Sequence, residues 1–255
     1  MDIMAKNDIV KYLIGATVIV ACIISQYAFN VRDFLQQIIL VYIVPSIAIL
    51  FLDGKNIVLN SYRNFKAALK YGLGYFGIFS AIGFALAFIL IITIFALDPN
   101  SQQIINRPNP LLNISPEFAW SMIFLSLIMV GPFEEFLFRG FMFGKLKEIL
   151  GNVHWIYPAV ISSLIFTVVH FYYYIIFGNI ALVQFSQLMM FSIGMCGAYH
   201  MSGGNLIVPA LLHGALDATS FLMIAIPNFF IGLNLKLLLI LVGIFVGIFS
   251  ILGKK

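Results

Sequence analysis

Eight apolar runs, each close to the length of a bilayer crossing, follow one another along this chain. They fall near residues 9–29, 34–52, 71–97, 118–144, 156–178, 180–200, 205–227 and 233–252. A hydrocarbon core about 30 Å thick takes about 20 apolar residues per helix. The expected fold is therefore all-α, a polytopic membrane protein forming a bundle of about eight transmembrane helices. Composition agrees. Of 255 residues, 62% are hydrophobic and 9% charged, with a mean hydropathy of +1.05, whereas a soluble domain is roughly a quarter charged. No polar stretch is long enough for a soluble domain, so residues 1–255 read as a single membrane domain. Ser202-Gly203-Gly204 marks one break and Pro227-Asn228 another, and the longest polar connection spans 98–116. No repeat or low-complexity segment is visible.

The formal charge is +4, but Lys and Arg are scattered singly between apolar runs, which argues against a nucleic-acid partner. They read as topology determinants. With eight spans, Lys6, Lys11, Lys55, Arg63, Lys66, Lys70, Lys145, Lys147, Lys254 and Lys255 share one side, against Arg32, Arg107 and Lys236 on the other. The positive-inside rule then places both termini in the cytoplasm, in what reads as a prokaryotic cell membrane. Cys22 and Cys196 lie in apolar stretches and are expected to be buried small hydrophobes. The first run lacks a signal-peptide cleavage pattern and is taken as a span. Residues 57–70 have the pattern of an amphipathic surface helix or a solvated helical connector.

A charge at mid-membrane costs about 2.5–3.5 kcal/mol on insertion scales, so such residues mark function by default. Three runs carry them. The fourth contains Glu134-Glu135-Phe136-Leu137-Phe138-Arg139, the fifth Phe166-Thr167-Val168-Val169-His170, and the seventh His213-Gly214-Ala215-Leu216-Asp217. At helical spacing Glu135 and Arg139 stack one turn apart and pair. Glu134 points elsewhere, free to face a cavity as a general base must. His213 and Asp217, also four apart, share a face. Pro132 and Pro209 each remove a backbone donor nearby and are expected to open their helices locally. At about 1.5 Å per residue, Glu134, His170 and His213 lie about 16, 21 and 12 Å in from their helix ends, a similar level. His154 and His200 fall in a loop and at a helix end and are not counted in the site. Phe171-Tyr172-Tyr173-Tyr174 reads as an interfacial aromatic belt.

In these residues the sequence resembles the CAAX protease and bacteriocin-processing family of intramembrane proteases, including type II CAAX prenyl endopeptidases. Its three motifs are EExxxR, FxxxH and HxxxN or HxxxD. Glu134, Glu135 and Arg139 match the first, Phe166 and His170 the second, His213 and Asp217 the third, within a core of about 115–228. The resemblance implies that Glu134, with His170, activates a water to attack a peptide carbonyl. His213 and Asp217 then hold the developing oxyanion or complete the site, and Glu135 and Arg139 brace Glu134. Prenyl-protease members often have asparagine where Asp217 stands, so this aspartate must be protonated, orient His213 or help ligate a metal. If zinc is present, Glu134, His170 and His213 are the ligands. The preferred mechanism needs no cofactor. The expected activity is a cytoplasm-facing endopeptidase acting on a peptide or lipidated-protein substrate, prenylated or not, within the lipid bilayer. The competing classes are a non-catalytic scaffold or immunity protein and an ion-coupled transporter. The inverted repeats of a transporter are not found.

Overall fold

In lipid a backbone N–H or C=O has no partner but the chain itself, so apolar length becomes helix wherever no turn residues interrupt it. The computed structural model describes residues 3–31, 33–101, 113–226 and 229–252, and every regular element among them is helical. The helices are α1 Ile3–Ala28, α2 Phe34–Asn60, α3 Phe65–Leu97, α4 Pro116–Leu150, α5 Ile156–Val168, α6 Tyr172–Phe177, α7 Ala181–Met201, α8 Ile207–Ala225 and α9 Phe229–Leu252.

Among the described residues, six stretches are long and apolar enough to cross a membrane: Asn7–Ala28, Phe34–Asn60, Phe65–Leu97, Pro116–Leu150, Tyr172–Met201 and Ile207–Ala225. The other two expected spans correspond to shorter apolar helices, Ile156–Val168 and Asn234–Phe249. Arg32, Arg107, Lys254, Lys255, the Pro227-Asn228 break and residues 102–112 of the long connection lie outside the described residues.

Turn chemistry sets the boundaries. Asp33 caps α2 by accepting the Gln36 N–H at 2.9 Å, and Ser115 caps α4 by accepting that of Phe118 at 3.2 Å, with Pro116 opening the helix. Gly203 and Gly204 adopt φ of +71° and +98°, the left-handed turn that only glycine makes cheaply, between α7 and α8. Residues 57–70 do not form a surface helix. Residues 57–60 complete α2, Asn64 turns at φ 50°, and α3 begins at Phe65. The continuous apolar face across 57–70 reflects two helix ends meeting at one turn.

Two prolines widen the helices that carry them. Pro45 follows a π-helical turn, Ile39–Ile43, in which the Val44 N–H reaches Ile39 O; Pro132 follows Ser126–Val130, where the Gly131 N–H reaches Ser126 O. Proline cannot donate to the carbonyl four residues back, and the five-residue bond absorbs the mismatch. Pro209 has no such effect. It is the third residue of α8, within the first turn, where backbone donors are unpaired anyway.

Helices alternate in direction. Lys145 bridges Asp8 of α1 at 3.0 Å and Asp53 of α2 at 2.9 Å, and the Leu206 N–H bonds Ser61 O, gathering one end of the bundle. Tyr27 stacks on Tyr172 and Phe34 meets Phe118 edge-on at the opposite end. α3 packs against α7 and α9, α5 lies against α7 and the C-terminal half of α4, and α8 lies against the N-terminal half of α4. α1 and α2 pack on each other and on the C-terminal half of α4. Cys22 is half-buried and Cys196 buried, both unbridged.

Candidate active site

Close contact between α4 and α8 builds the site. A Cβ on Gly131 would collide with the backbone oxygen of Ala210, and one on Gly214 with that of Ser126. The two helices therefore touch backbone to backbone, with Glu134 and Glu135 one turn beyond the contact on α4 and His213 beside it on α8. Small residues are what permit such an approach in a membrane.

A second π-helical stretch, Glu135–Phe143, carries the first motif. Glu135 and Arg139 are fully buried, and Arg139 Nη1 lies 3.0 Å from Glu135 Oε1, an ion pair by distance whose angle is not that of a hydrogen bond. The pairing expected from helical spacing is present. The guanidinium also lies 4.6 Å over the Phe166 ring and 5.6 Å from that of Phe191, a cation–π contact that partly replaces its lost hydration.

Glu135 does more than pair with arginine. Its Oε1 sits 2.8 Å from His213 Nδ1. A carboxylate paired with arginine accepts, so Nδ1–H donates and the imidazole is oriented from α4. His213 Nε2 then points at two carboxylates, Glu134 Oε2 and Asp217 Oδ2, each at 3.6 Å. Asp217 is therefore not the group that orients His213 through Nδ1. Orienting His213 was one of three roles left open for Asp217 by its departure from the family's asparagine; at Nδ1 that role falls to Glu135, 78 residues away in the chain.

His170 stands just past the end of α5, not inside a continuous span. Its Nδ1 is 2.7 Å from Phe166 O, while its own backbone N–H bonds Thr167 O. The side chain has taken the carbonyl that the next helical N–H would use, and the helix stops at Val168. The FxxxH spacing is thus a helix terminator that also fixes the ring, with Nδ1–H donated and Nε2 left as the acceptor. The expected span 156–178 is corrected accordingly. Tyr173 stacks on the His170 ring at 6.2 Å and Tyr172 turns inward, so the aromatic run is only in part a surface belt, with Phe171 and Tyr174 exposed.

A cavity of about 300 Å³ reaches this cluster, and Glu134, His170, Tyr42 and Tyr172 are in its wall. Of the four residues expected to act together, Glu134 and His170 line the cavity, while His213 is buried with Nε2 between Glu134 and Asp217, and the Asp217 side chain is 38% exposed. Tyr42 was not foreseen. Its hydroxyl donates to Glu134 Oε1 at 3.2 Å, and its ring meets Phe133 at 6.1 Å. It sits on the π-helical turn of α2, far from the motifs, and its sole sequence signal is a phenol inside an apolar run ahead of Pro45.

Among the described residues, no three His, Cys, Asp or Glu side chains converge as metal ligands, Glu134, His170 and His213 included. Nδ1 of both histidines is committed, to Phe166 O and to Glu135, which leaves Nε2 as the nitrogen each ring presents to other groups.

A helical membrane protein with carboxylates and imidazoles gathered at mid-bundle around a cavity has the makings of an intramembrane hydrolase. Residues 116–219 match the family model described as Type II CAAX prenyl endopeptidase Rce1-like. This stretch, less than half of the chain, carries all three motifs, and the match supports the likeness to the CAAX protease and bacteriocin-processing family of intramembrane proteases. No curated protein and no solved structure gives a significant match to the chain. The match begins at α4, so α1, α2 and Tyr42 lie outside it.

Proposed function

We propose that this protein is a glutamate-dependent intramembrane endopeptidase that cuts a membrane-tethered peptide with a water activated by Glu134 and His170. The observation that carries this reading is the shared cavity. Glu134, with 14% of its side chain exposed, and His170 face the same space. Their fixed partners leave each with an acceptor available to a water.

In the reaction Glu134 takes a proton from the water, and the water oxygen bonds to the carbonyl carbon as the carbonyl electron pair moves onto its oxygen. His170, through the Nε2 lone pair, holds the water's second hydrogen in line. His213, protonated on both nitrogens, presents Nε2–H to the oxyanion, and Asp217 balances the imidazolium charge. Collapse of the tetrahedral intermediate expels the amine, which takes back the proton from Glu134. Peptide plus water gives acid plus amine. A positioned base typically contributes about 10²–10⁴-fold and an oxyanion donor about 10²–10³-fold.

Glu134→Gln in the purified, bilayer-embedded protein is the test. Cleavage falls by at least about 10²-fold while the thermal unfolding midpoint stays close to wild type. Undiminished cleavage by Glu134→Gln removes the glutamate from the mechanism.

A further inference from the structure

Among the described residues, the cavity reaches Glu134 from one end of the bundle. Its wall is made by the last turns of α1, the first turns of α2, the N-terminal half of α4 and the residues just past α5. All of these belong to the end opposite the Lys145 cluster. Two aromatic pairs rim the mouth there: Tyr27 on Tyr172, with centroids 5.4 Å apart, and Phe34 on Phe118 at 5.5 Å. Amphipathic aromatic rings at this level are typical of a membrane–water interface.

Toward the other end the way is closed. Ile19, Leu137, Phe141, Met142 and Phe166 are at most 1% exposed and belong to one continuous core beneath Glu134. A further Cβ on Gly15 would run into the Phe141 ring. Below that core Lys145 ties α1, α2 and α4 together. A second groove of about 290 Å³ does open nearer that end, between α4 and α8. Its lining, which includes Pro132, Phe136 and Leu211, contains none of Glu134, His170, His213 and Asp217.

Charge assigns the sides. Lys55, Arg63, Lys66, Lys70, Lys145 and Lys147 lie at the closed end, while the mouth end carries Asp33, Asp98 and, among the described basic residues, Lys236. The closed end is therefore cytoplasmic. We infer that the active-site cavity opens on the extracytoplasmic side, and that the substrate is a membrane-tethered peptide presented from that side. The inference rests on Glu134 being the base, and it reverses the cytoplasm-facing cut expected from the sequence. The mouth suits such a substrate. Gln26 sets a side-chain amide, a group that bonds peptide backbone, among apolar residues such as Ile38, Val41 and Met122, while the Gln37 amide N–H donates to Val31 O at 2.8 Å.

Sidedness is tested by cysteine accessibility in a background with Cys22→Ala and Cys196→Ala. Gln26→Cys reports on the mouth and Asn152→Cys on the closed end. A membrane-impermeant maleimide, added to spheroplasts, is expected to modify Gln26→Cys but not Asn152→Cys, with the reverse in inverted membrane vesicles. Phe29→Cys, exposed at the mouth end, supplies the same reading if Gln26→Cys is not produced. Spheroplasts of cells carrying the wild-type protein should also cleave an externally supplied quenched peptide bearing an N-terminal apolar anchor. Modification of Gln26→Cys or Phe29→Cys from the cytoplasmic face overturns the inference, as does cleavage confined to a farnesylated peptide supplied to inverted vesicles. Glu134→Gln separates the two readings: if it still cleaves, the base assignment fails while the labelling pattern continues to report the side.

Discussion

Glu135 and His213 are joined by a 2.8 Å contact from Oε1 to Nδ1, and the same oxygen lies 3.0 Å from Arg139. One buried carboxylate thus orients the imidazole of α8 and neutralises the arginine of its own helix. Removing its charge leaves Arg139 without its carboxylate partner at 0% exposure, while His213 keeps Glu134 and Asp217 at 3.6 Å. Breaking a buried pair from one side costs about 3–5 kcal/mol. Glu135→Gln keeps an acceptor for Nδ1–H but not the charge, so it should lower the thermal unfolding midpoint far more than Glu134→Gln. Adding Arg139→Met to Glu135→Gln should restore much of the loss. Equal unfolding midpoints for Glu135→Gln and Glu134→Gln would show the ion pair to be dispensable.

The contact at Gly131 and Gly214 makes a second expectation. A methyl at Gly131 meets backbone that cannot rotate away, so α4 and α8 must separate and carry Glu134 from His213. Overpacking of this kind costs about 1–3 kcal/mol, and a shift of about 1 Å is enough to lose about 10²-fold in rate. Gly131→Ala should therefore impair both stability and cleavage. Gly72→Ala is the comparison: its Cβ meets the Val208 Cγ1 at 2.6 Å, the end of a side chain on the far side of α8, and cleavage should be largely kept. Full activity in Gly131→Ala would mean that the helices tolerate the wider spacing.

Much of this site was legible in the sequence, and the reasons it was legible also explain what was not. Glu135 and Arg139 sit four apart on one helix, and local spacing alone predicts their contact. The helical class follows from run length, because lipid leaves the backbone no alternative. Periodicity carries no information about contacts between helices distant in sequence, and there the reading failed. Nothing local points from Glu135 to His213, or from Tyr42 to Glu134. The break at His170 was hidden because its cause is a side chain competing for a backbone carbonyl within an unbroken apolar run. The π-helical widening around the motifs leaves no mark on composition beyond the prolines that follow two of the turns.

Tyr42 brings α2 into the site through its hydrogen bond to Glu134 Oε1. A hydrogen bond to a charged group contributes about 1.5–3 kcal/mol, which corresponds to about tenfold to hundredfold in rate where it holds the reactive conformer. Tyr42→Phe keeps the ring against Phe133 and removes only the donor. The expected result is a fall in kcat of that size with KM nearly unchanged, and an unfolding midpoint close to wild type. A rise in KM at constant kcat would assign Tyr42 to substrate binding instead.

Lys145 is 7% exposed and faces three carboxylates, yet these are not equivalent. Asp53 is 17% exposed at 2.9 Å, whereas Asp8 and Glu148, both at 3.0 Å, are 41% and 67% exposed. Solvent and salt screen the outer two, and exposed pairs typically contribute about 0.2–1 kcal/mol. The buried pair is the one that holds α2 to α4 and keeps that end of the bundle shut. Asp53→Asn should consequently destabilise the protein clearly more than Asp8→Asn or Glu148→Gln, with little dependence on salt, when unfolding is followed in the same bilayer mimic. The outer two variants should lose their small effect as ionic strength rises. Should all three substitutions behave alike and fade together in salt, the cluster is a surface network, and closure of that end rests on the apolar core around Phe141 alone.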